Sequence, residues 1–322
     1  MRKSIIVTGI GGVVGQGILR NIADLGLDVD IIGVNVTAVS AGNYLCDRVY
    51  EVPFSYDKAY IPAMQGICKK ENTALIIPST DYESFYLAES KTVFNCPVAA
   101  SPAAITKMCL DKFSNYEGFG KYDIPFASSV LPSAYAGQFN KCVVKPREGR
   151  GSRNIFVDPP NPASFDDSYV VQEYLEGPEI TTTFYVRKDG AFHGLITFER
   201  ELEQGNTAKA EVINDYDEEM KSIIRKMLSH YNFRGSCNIQ SRVTANGIIP
   251  FEINCRISGT NSIRSQFGFK DVAYTVQEYF LNEIPEAPDV KPGTALRVML
   301  DIIYPGKKLS EITDKNDTFY IR

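Results

Sequence analysis

The sequence predicts two kinds of architecture in succession, an α/β domain over about the first hundred residues and an α+β region after it. In the first part, short apolar runs alternate with stretches of helical spacing. Strands are predicted at residues 5–8, 30–34 and 75–78, and helices at 15–25 and 59–71. Strands separated by helices indicate a parallel sheet with crossover connections.

From about residue 141 the pattern changes to short strands joined by loops, which indicates antiparallel pairing. The predicted strands lie at 142–145, 154–157, 169–172, 180–187, 190–198, 237–243 and 248–253. Asp189-Gly190 falls between two of them and is a hairpin signal. Helices are expected at 101–120, 215–231 and 272–281. The second region is therefore predicted to be built mainly on antiparallel sheets.

Composition restricts the class of protein. The 322-residue chain is 44% hydrophobic and has a formal charge of −5, which is typical of a globular protein with two or three packed subdomains. A slightly acidic chain lacks the basic face that a nucleic-acid partner requires, and no apolar run reaches the roughly 20 residues of a membrane span. Seven cysteines without a C-x-x-C pair, and only two histidines, predict a cytoplasmic protein without a multi-histidine zinc site.

Five glycines in VTGIGGVVGQG, near the N-terminus, raise the question of dinucleotide binding. Gly9 and Gly11 fit the G-x-G-x-x-G fingerprint, but Val14 occupies its third position. Asn35, rather than an acid, stands near the place where a ribose ligand would follow the second strand. The favoured interpretation is a turn that lets the helix pack closely on the strand. An NAD-type oxidoreductase is the lesser alternative.

The stretch FEINCRISGT carries a chemical signal. Alternation along a strand places Glu252, Asn254 and Arg256 on one face, where oxygen donors suit Mg²⁺ and a guanidinium suits phosphate. A solvent-facing polar edge is the structural alternative. The length of the preceding turn decides the partner of Glu252. A three-residue loop presents Gln240, whereas a two-residue turn presents Ser241.

Two further stretches contain residues suited to a nucleotide site. In VVKPREGRGSRNIF a strand delivers Lys145 before a glycine-containing loop whose backbone N–H groups could wrap phosphate oxygens. In VVQEYLEGPE a buried strand ends near Glu173, the backbone beyond it could meet an adenine edge, and a later carboxylate could accept ribose hydroxyls. A flexible basic hairpin and an ordinary hinge with surface acids are equally good interpretations of these residues alone.

Taken together and in chain order, these stretches resemble the ATP-grasp superfamily, most closely the carbamoyl-phosphate-synthase large-subunit type of ligase. CLDKFSNYEGFGKYDIPFA and NIQSRV complete the set. The resemblance implies a Rossmann-like pre-ATP-grasp domain over residues 1–100 and an ATP-grasp domain of two α+β lobes over 101–285. A small lid lobe would span about 112–173 and a C-terminal lobe about 174–285, followed by an extension at 286–322.

The resemblance also implies a role for each matching position. Those facing the nucleotide would be Lys112, Lys145, Gly149, Gly151, Ser152, Glu173, Leu175 and Glu179. The lysines would contact phosphates, the glycine loop would close over them, the strand end would read adenine, and Glu179 would bind the ribose. Ligands of Mg²⁺ or Mn²⁺ would be Gln240, Glu252 and Asn254. Arg256 would steady the γ-phosphoryl group as it moves, and Lys145 would offset its charge.

The implied reaction joins a small-molecule carboxylate to an amine, or to another nucleophile, through an acyl phosphate with release of ADP and phosphate. A nucleotide-binding regulatory protein with little turnover is the alternative. The loop after the metal strand offers Ser258 and Arg264 to a substrate, although Arg264 could instead pair with a surface acid. Asp81 and Glu83 are candidates to line the acceptor cleft or to cap a helix.

The sequence also limits how far the resemblance extends. Gln240 stands where relatives often have an acidic metal ligand, although carbamoyl-phosphate synthases have the same glutamine. The chain is about the size of one synthetase unit, with no duplicated half and no visible glutaminase, so a complete carbamoyl-phosphate synthase is not expected. A homodimer would be in keeping with the family.

Overall fold

A parallel sheet forms the first part of the molecule, as the sequence predicts. A computed structural model of the chain describes residues 2–149 and 153–322. Its first four strands are β1 (Ser4–Thr8), β2 (Asp30–Asn35), β3 (Arg48–Glu51) and β4 (Thr73–Ile77). They pair in parallel in the order β3-β2-β1-β4. The strand order switches between β1 and β4, which is where sheets of this kind open a crevice at their carboxyl ends.

Helices cover both faces of this sheet. They are α1 (Val13–Ala23), α2 (Tyr60–Lys70) and α3 (Asp81–Glu89). On one face Ile6 packs with Tyr60 and Met64 of α2. On the other, a core that includes Ile18 of α1 also takes in Val272 from the C-terminal part of the chain. The first domain therefore shares a hydrophobic core with the rest of the molecule.

The prediction of a single helix over residues 101–120 is wrong, because the helix is interrupted at Asp111. The two segments are α4 (Ala103–Leu110) and α5 (Lys112–Gly120). Asp111 is extended, with φ −108° and ψ 115°, and its carboxylate accepts hydrogen bonds from the N–H groups of Phe113 and Ser114. An aspartate N-cap of this kind satisfies backbone donors that the first turn leaves unpaired. The break places Lys112 at the start of a helix.

Two antiparallel sheets form the second part. One has the order β5-β8-β6-β7 and consists of β5 (Ser129–Val130), β6 (Cys142–Pro146), β7 (Phe156–Val157) and β8 (Tyr169–Glu173). The other has the order β13-β12-β9-β10-β11-β14 and consists of β9 (Glu179–Val186), β10 (Phe192–Glu203), β11 (Asn206–Ile213), β12 (Gly235–Thr244), β13 (Gly247–Asn254) and β14 (Thr294–Leu296). Three of these strands, β5, β11 and β14, were not predicted from the sequence.

The remaining elements surround the larger sheet. They are α6 (Asp217–His230), α7 (Asn261–Arg264), α8 (Asp271–Val276) with a π-helical continuation (Gln277–Leu281), and a short ladder of β15 (Ile302–Ile303) and β16 (Tyr320–Ile321). Met220, Ile224 and Met227 of α6 are buried in the main core of this sheet. Within residues 2–149 and 153–322, no helix is long and apolar enough to cross a membrane.

The glycine-rich turn joins the first domain to the C-terminal part. Gly9 turns the chain after β1 with φ +58°, a conformation that side-chain-bearing residues rarely adopt. A Cβ atom on Gly17 would lie 2.2 Å from Oδ1 of Asn261. The Asn261 amide also donates to the carbonyl of Val14 at 3.2 Å. The glycine in α1 thus permits close contact with α7.

We predict that Gly17→Ala lowers the free energy of unfolding by roughly 1–3 kcal/mol, since the added methyl group overpacks the contact with Asn261. Urea denaturation measures the change. Gly66→Ala is the matched control, because Gly66 lies within α2 with no atom within 4 Å of an added Cβ. That substitution should instead stabilise by about 0.4–1 kcal/mol. Equal effects of the two substitutions would contradict the packing role of Gly17.

Candidate active site

A cavity of about 270 Å³ is lined by residues from both antiparallel sheets and from the first domain. Its charged lining residues, among those that the structure describes, are Lys112, Lys145, Arg153, Arg200, Arg256, Arg297, Asp81 and Glu252. The described lining of the cavity therefore carries six positive groups and two negative groups. An excess of positive charge in a concave site favours a polyanionic ligand.

The β12–β13 hairpin fixes the polar face of this cavity through a bulge. Thr244 pairs with Gly247, so the turn between the strands has two residues. The register then shifts between Gln240 and Ser241, and Gln240 lies opposite Glu252. The expectation that a two-residue turn would present Ser241 is wrong, because the turn residues are Ala245 and Asn246 and Ser241 pairs with Pro250. Continued without a break, this register would put Ile239 opposite Glu252, and the extra residue on β13, Phe251, shifts it to Gln240.

Lys145 reaches the cavity from β6 and is almost fully buried, with 4% of its surface exposed. Its Nζ donates to the carbonyl oxygen of Phe251, the extra residue of the bulge, at 3.2 Å. The pKa of Lys145 is lowered from 10.5 to about 8, chiefly by burial and to a smaller extent by the charge of Lys112, while the charge of Glu252 opposes both effects. Among the residues that the structure describes, no carboxylate forms an ion pair with this ammonium, and a bound anion would supply one.

Glu252 is the carboxylate of the site. Burial alone would raise its pKa, but the charges of Lys112 and Lys145 outweigh that effect and the pKa lies below its ordinary value. The Asn254 amide donates to its Oε1 at 3.4 Å. Among the described residues, no cluster of three His, Cys, Asp or Glu side chains could hold a metal ion.

One carboxylate and two amides suit a particular kind of cation site. Glu252, Asn254 and Gln240 all line the same cavity. Mg²⁺ keeps several waters and is commonly held by one or two carboxylates together with substrate phosphates. The donor set therefore fits Mg²⁺ that arrives with a nucleotide, rather than a metal held by protein ligands alone.

Arg256 connects this cavity to the first domain. Its Nη2 and Nε lie 2.8 and 3.0 Å from Oδ2 of Asp81, at the start of α3. The side chains of Arg256 and Asp81 are 15% and 16% exposed. A partly buried charged pair of this kind orients both groups, so Arg256 is held at the boundary between the two parts of the molecule.

The strand end predicted to read adenine is already hydrogen-bonded. The Glu173 N–H donates to the carbonyl of Ser128 at 2.9 Å, and its carboxylate accepts from the Ser128 N–H at 2.6 Å. The Glu173 N–H is therefore committed to contacts with Ser128. Leu175 follows β8 and is half-buried, and Glu179 lies 3.4 Å from both Arg200 and Arg242. None of these three predicted residues lines the 270 Å³ cavity.

Arg264 does not reach the cavity either. Its side chain is fully buried, and its guanidinium lies 2.5 and 3.0 Å from the carboxylate oxygens of Asp271. Its Nη1 also donates to the hydroxyls of Ser258 and Thr260, at 2.9 and 2.8 Å. The acid that Arg264 pairs with is thus buried, not a surface acid. The structure makes Arg264 a positioning residue for Ser258, which does line the cavity.

The remaining predicted positions belong to the lid loop. Gly149 lines the cavity, whereas Gly151 and Ser152 lie outside the described residues. Sequence reasoning missed Arg200, Arg297 and Asn238, which also line the cavity. Asn238 was visible in the sequence two positions before Gln240, on the same face of β12. No short motif marks either arginine.

Comparison with known families agrees with this geometry. Residues 165–301 match the model of the family described as ATP-grasp in the biosynthetic pathway with Ter operon. Residues 18–99 match the PylC-like N-terminal domain. No curated protein sequence matches the chain.

Solved structures share the fold at low sequence identity. N5-carboxyaminoimidazole synthetase from Staphylococcus aureus, complexed with ADP, is 13% identical, with 92% of this chain and 82% of that one covered and a TM-score of 0.72. An L-amino acid ligase from Bacillus licheniformis is 14% identical, with 87% and 74% covered and a TM-score of 0.70. The biotin carboxylase domain of 2-oxoglutarate carboxylase from Hydrogenobacter thermophilus is 14% identical, with 91% and 73% covered and a TM-score of 0.69.

The chain therefore contains an ATP-grasp domain, matched over residues 165–301, and a PylC-like N-terminal domain, matched over residues 18–99. The predicted superfamily and the predicted fold class are confirmed. The narrower likeness to carbamoyl-phosphate synthases, the domain boundaries and the roles of the individual site residues stay predictions.

We predict that the buried ammonium of Lys145 makes stability depend on pH. Because the folded pKa, about 8, lies below the ordinary 10.5, the unfolded chain binds more protons between these values. The free energy of unfolding should therefore rise with pH across this interval, by up to about 3 kcal/mol. Urea denaturation at about pH 7.5, 9 and 10.5, which spans the interval between the two pKa values, measures this rise in stability.

Lys145→Met should remove this rise, so the stability difference between wild type and variant should change with pH. Lys141→Met, which removes an exposed ammonium just before β6, is the control and should retain the wild-type profile. A constant difference between wild type and Lys145→Met at all three pH values would contradict the assignment.

Proposed function

We propose that the protein is an ATP-dependent ligase that activates a carboxylate as an acyl phosphate and transfers the acyl group to an amine, with release of ADP and phosphate. The observation that carries the proposal is the buried Lys145 ammonium beside Lys112 and Glu252 in a cavity with excess positive charge. A buried cation costs free energy unless a ligand compensates it, and a polyphosphate is such a ligand.

The positions of the residues suggest a division of labour on ATP. Lys112 and Lys145 would bind phosphate oxygens, and the loop at Gly149 would cover them. Glu252, Asn254 and Gln240 would hold Mg²⁺, which when bound neutralises charge on the β- and γ-oxygens. Arg256, pre-oriented by Asp81, would stabilise charge on the transferring group.

The chemistry then needs no protein nucleophile. A carboxylate oxygen attacks the γ-phosphorus, the bond to the β–γ bridging oxygen breaks, and ADP leaves with the electron pair. The uncharged amine nitrogen attacks the acyl carbon of the resulting acyl phosphate. The bond from that carbon to the phosphate oxygen breaks, phosphate leaves with its electron pair, and the nitrogen releases a proton to solvent. Positioning and charge neutralisation supply most of the catalysis in such transfers.

Structural neighbours support this reaction class. The Staphylococcus aureus synthetase was solved with ADP, and the Hydrogenobacter thermophilus biotin carboxylase domain with MgADP and bicarbonate. The Bacillus licheniformis protein is an amino acid ligase. These proteins share the fold of this chain, and their ligands are the kind that its basic cavity would accept.

We expect calorimetry to detect ATP binding that depends on Mg²⁺, with no binding of NADH. Lys145→Ala should weaken ATP binding by roughly 10- to 100-fold, because a charged hydrogen bond to phosphate is lost. Glu252→Gln should reduce the dependence on Mg²⁺. Glu199→Gln, on the exposed face of β10, is the matched control and should behave as wild type.

Two outcomes would contradict the proposal. NADH binding with ATP silent would indicate a dinucleotide protein instead. ATP binding without ADP release, across carboxylate–amine pairs tested together, would favour the nucleotide-binding regulator.

A further inference from the structure

A second cavity, of about 360 Å³, lies where the strand order of the parallel sheet switches. Gly9 lines it from the end of β1, and Asn35 lines it from the end of β2. Thr80 and Gly149 line both this cavity and the basic one. The two cavities are therefore adjacent.

Aromatic rings form one wall of the second cavity. Phe54 and Tyr56 are stacked, with ring centroids 5.3 Å apart and planes 4° apart, yet they are 46% and 60% exposed. Tyr82 meets Tyr56 edge-on at 6.4 Å. Large exposed rings beside a cavity are typical of ligand sites, since a ligand ring or apolar group would bury them.

The charge of this cavity is opposite to that of the basic cavity. Glu83 and Glu148 line it, and none of its described lining residues is a lysine or an arginine. The hydroxyls of Thr8 and Thr80 donate to Oε2 of Glu83, at 2.7 and 2.8 Å, which orients that carboxylate at the end nearest the basic cavity. Burial raises the pKa of Glu83, and a neighbouring cation would favour its charged form. An ammonium group would therefore be attracted here, whereas a phosphate or carboxylate would be unfavourable.

Glu148 and Gly149, which follow β6, connect the second cavity with the basic one. The Tyr82 hydroxyl donates to Oε2 of Glu148 at 3.0 Å, so the residue before Gly149 contacts the aromatic wall. The same loop lines the basic cavity through Gly149. Two neighbouring residues, Glu148 and Gly149, therefore border the second cavity, and Gly149 borders the basic cavity as well.

We propose that the second cavity binds the amine substrate, and that this substrate is an unphosphorylated amine bearing an aromatic ring. The inference rests on the proposed ligase function. The ring stacks on Phe54 and Tyr56, while the nitrogen points toward Glu83 and Thr80, beside the place where the acyl phosphate forms. The anionic substrates then occupy the basic cavity. The amine enters the acidic cavity as an ammonium group and loses a proton to solvent before its nitrogen attacks the acyl carbon.

The test uses tyramine as probe, with 4-hydroxyphenylacetate as its anionic counterpart and n-butylamine as an amine without a ring. Each is titrated by calorimetry into the full chain, with and without Mg²⁺ and ATP. Tyramine should bind, and the other two should bind at least about tenfold more weakly. Tyr56→Ala should weaken tyramine binding by about tenfold, because the stacking surface is truncated.

Tyr320→Ala is the matched control, since Tyr320, like Tyr56, is an exposed tyrosine but lies in β16, outside both cavities. It should leave tyramine binding unchanged. Equal binding of tyramine and 4-hydroxyphenylacetate, or tyramine binding that is unaffected by Tyr56→Ala, would overturn the inference. Binding of ATP without any binding of tyramine would also overturn the inference. Binding of tyramine without binding of ATP would support the amine site but contradict the ligase function.

Discussion

The bulge at Phe251 is the constraint on which the arrangement of the basic cavity depends. It shifts the β12–β13 register so that Gln240 lies across from Glu252, rather than a neighbouring residue whose side chain points to the other face of the sheet. It also leaves the Phe251 carbonyl available to Lys145, which crosses to it from the smaller sheet. One extra residue in one strand thereby positions the carboxylate, the amide and the buried ammonium.

Burial of charge gives this arrangement its chemical character. The pKa of Lys145 lies below its ordinary value because of burial, and the pKa of Glu252 lies below its own because Lys112 and Lys145 are close. The site keeps a cation that is poorly compensated and an anion that is well compensated. Such a balance is costly in the free protein and is relieved by a ligand that carries several negative charges. The destabilised lysine is thus better explained by binding than by folding.

The sequence was most informative where chemistry follows strand periodicity. The alternation of Glu252, Asn254 and Arg256 was enough to predict their common face, and Lys145 and Lys112 were found from the stretches that resemble the superfamily. The bulge could not be predicted, since nothing in the strand pattern marks an unpaired residue. The position of Arg264 depends on Asp271, which follows it by seven residues across a turn and is buried with it. Arg200 reaches the cavity from a strand that was predicted to end at residue 198.

Contacts between the first domain and the C-terminal part of the molecule account for the glycines near the N-terminus. Gly17 packs against Asn261, and Arg256 pairs with Asp81, so the metal strand and its following loop are held against the carboxyl ends of the parallel sheet. A dinucleotide would need an acid near Asn35, which the chain does not supply at that place. The same edge instead meets the basic cavity at Thr80. The turn therefore brings the two cavities together at the boundary where, in the proposed reaction, a deprotonated amine and a phosphorylated intermediate would meet.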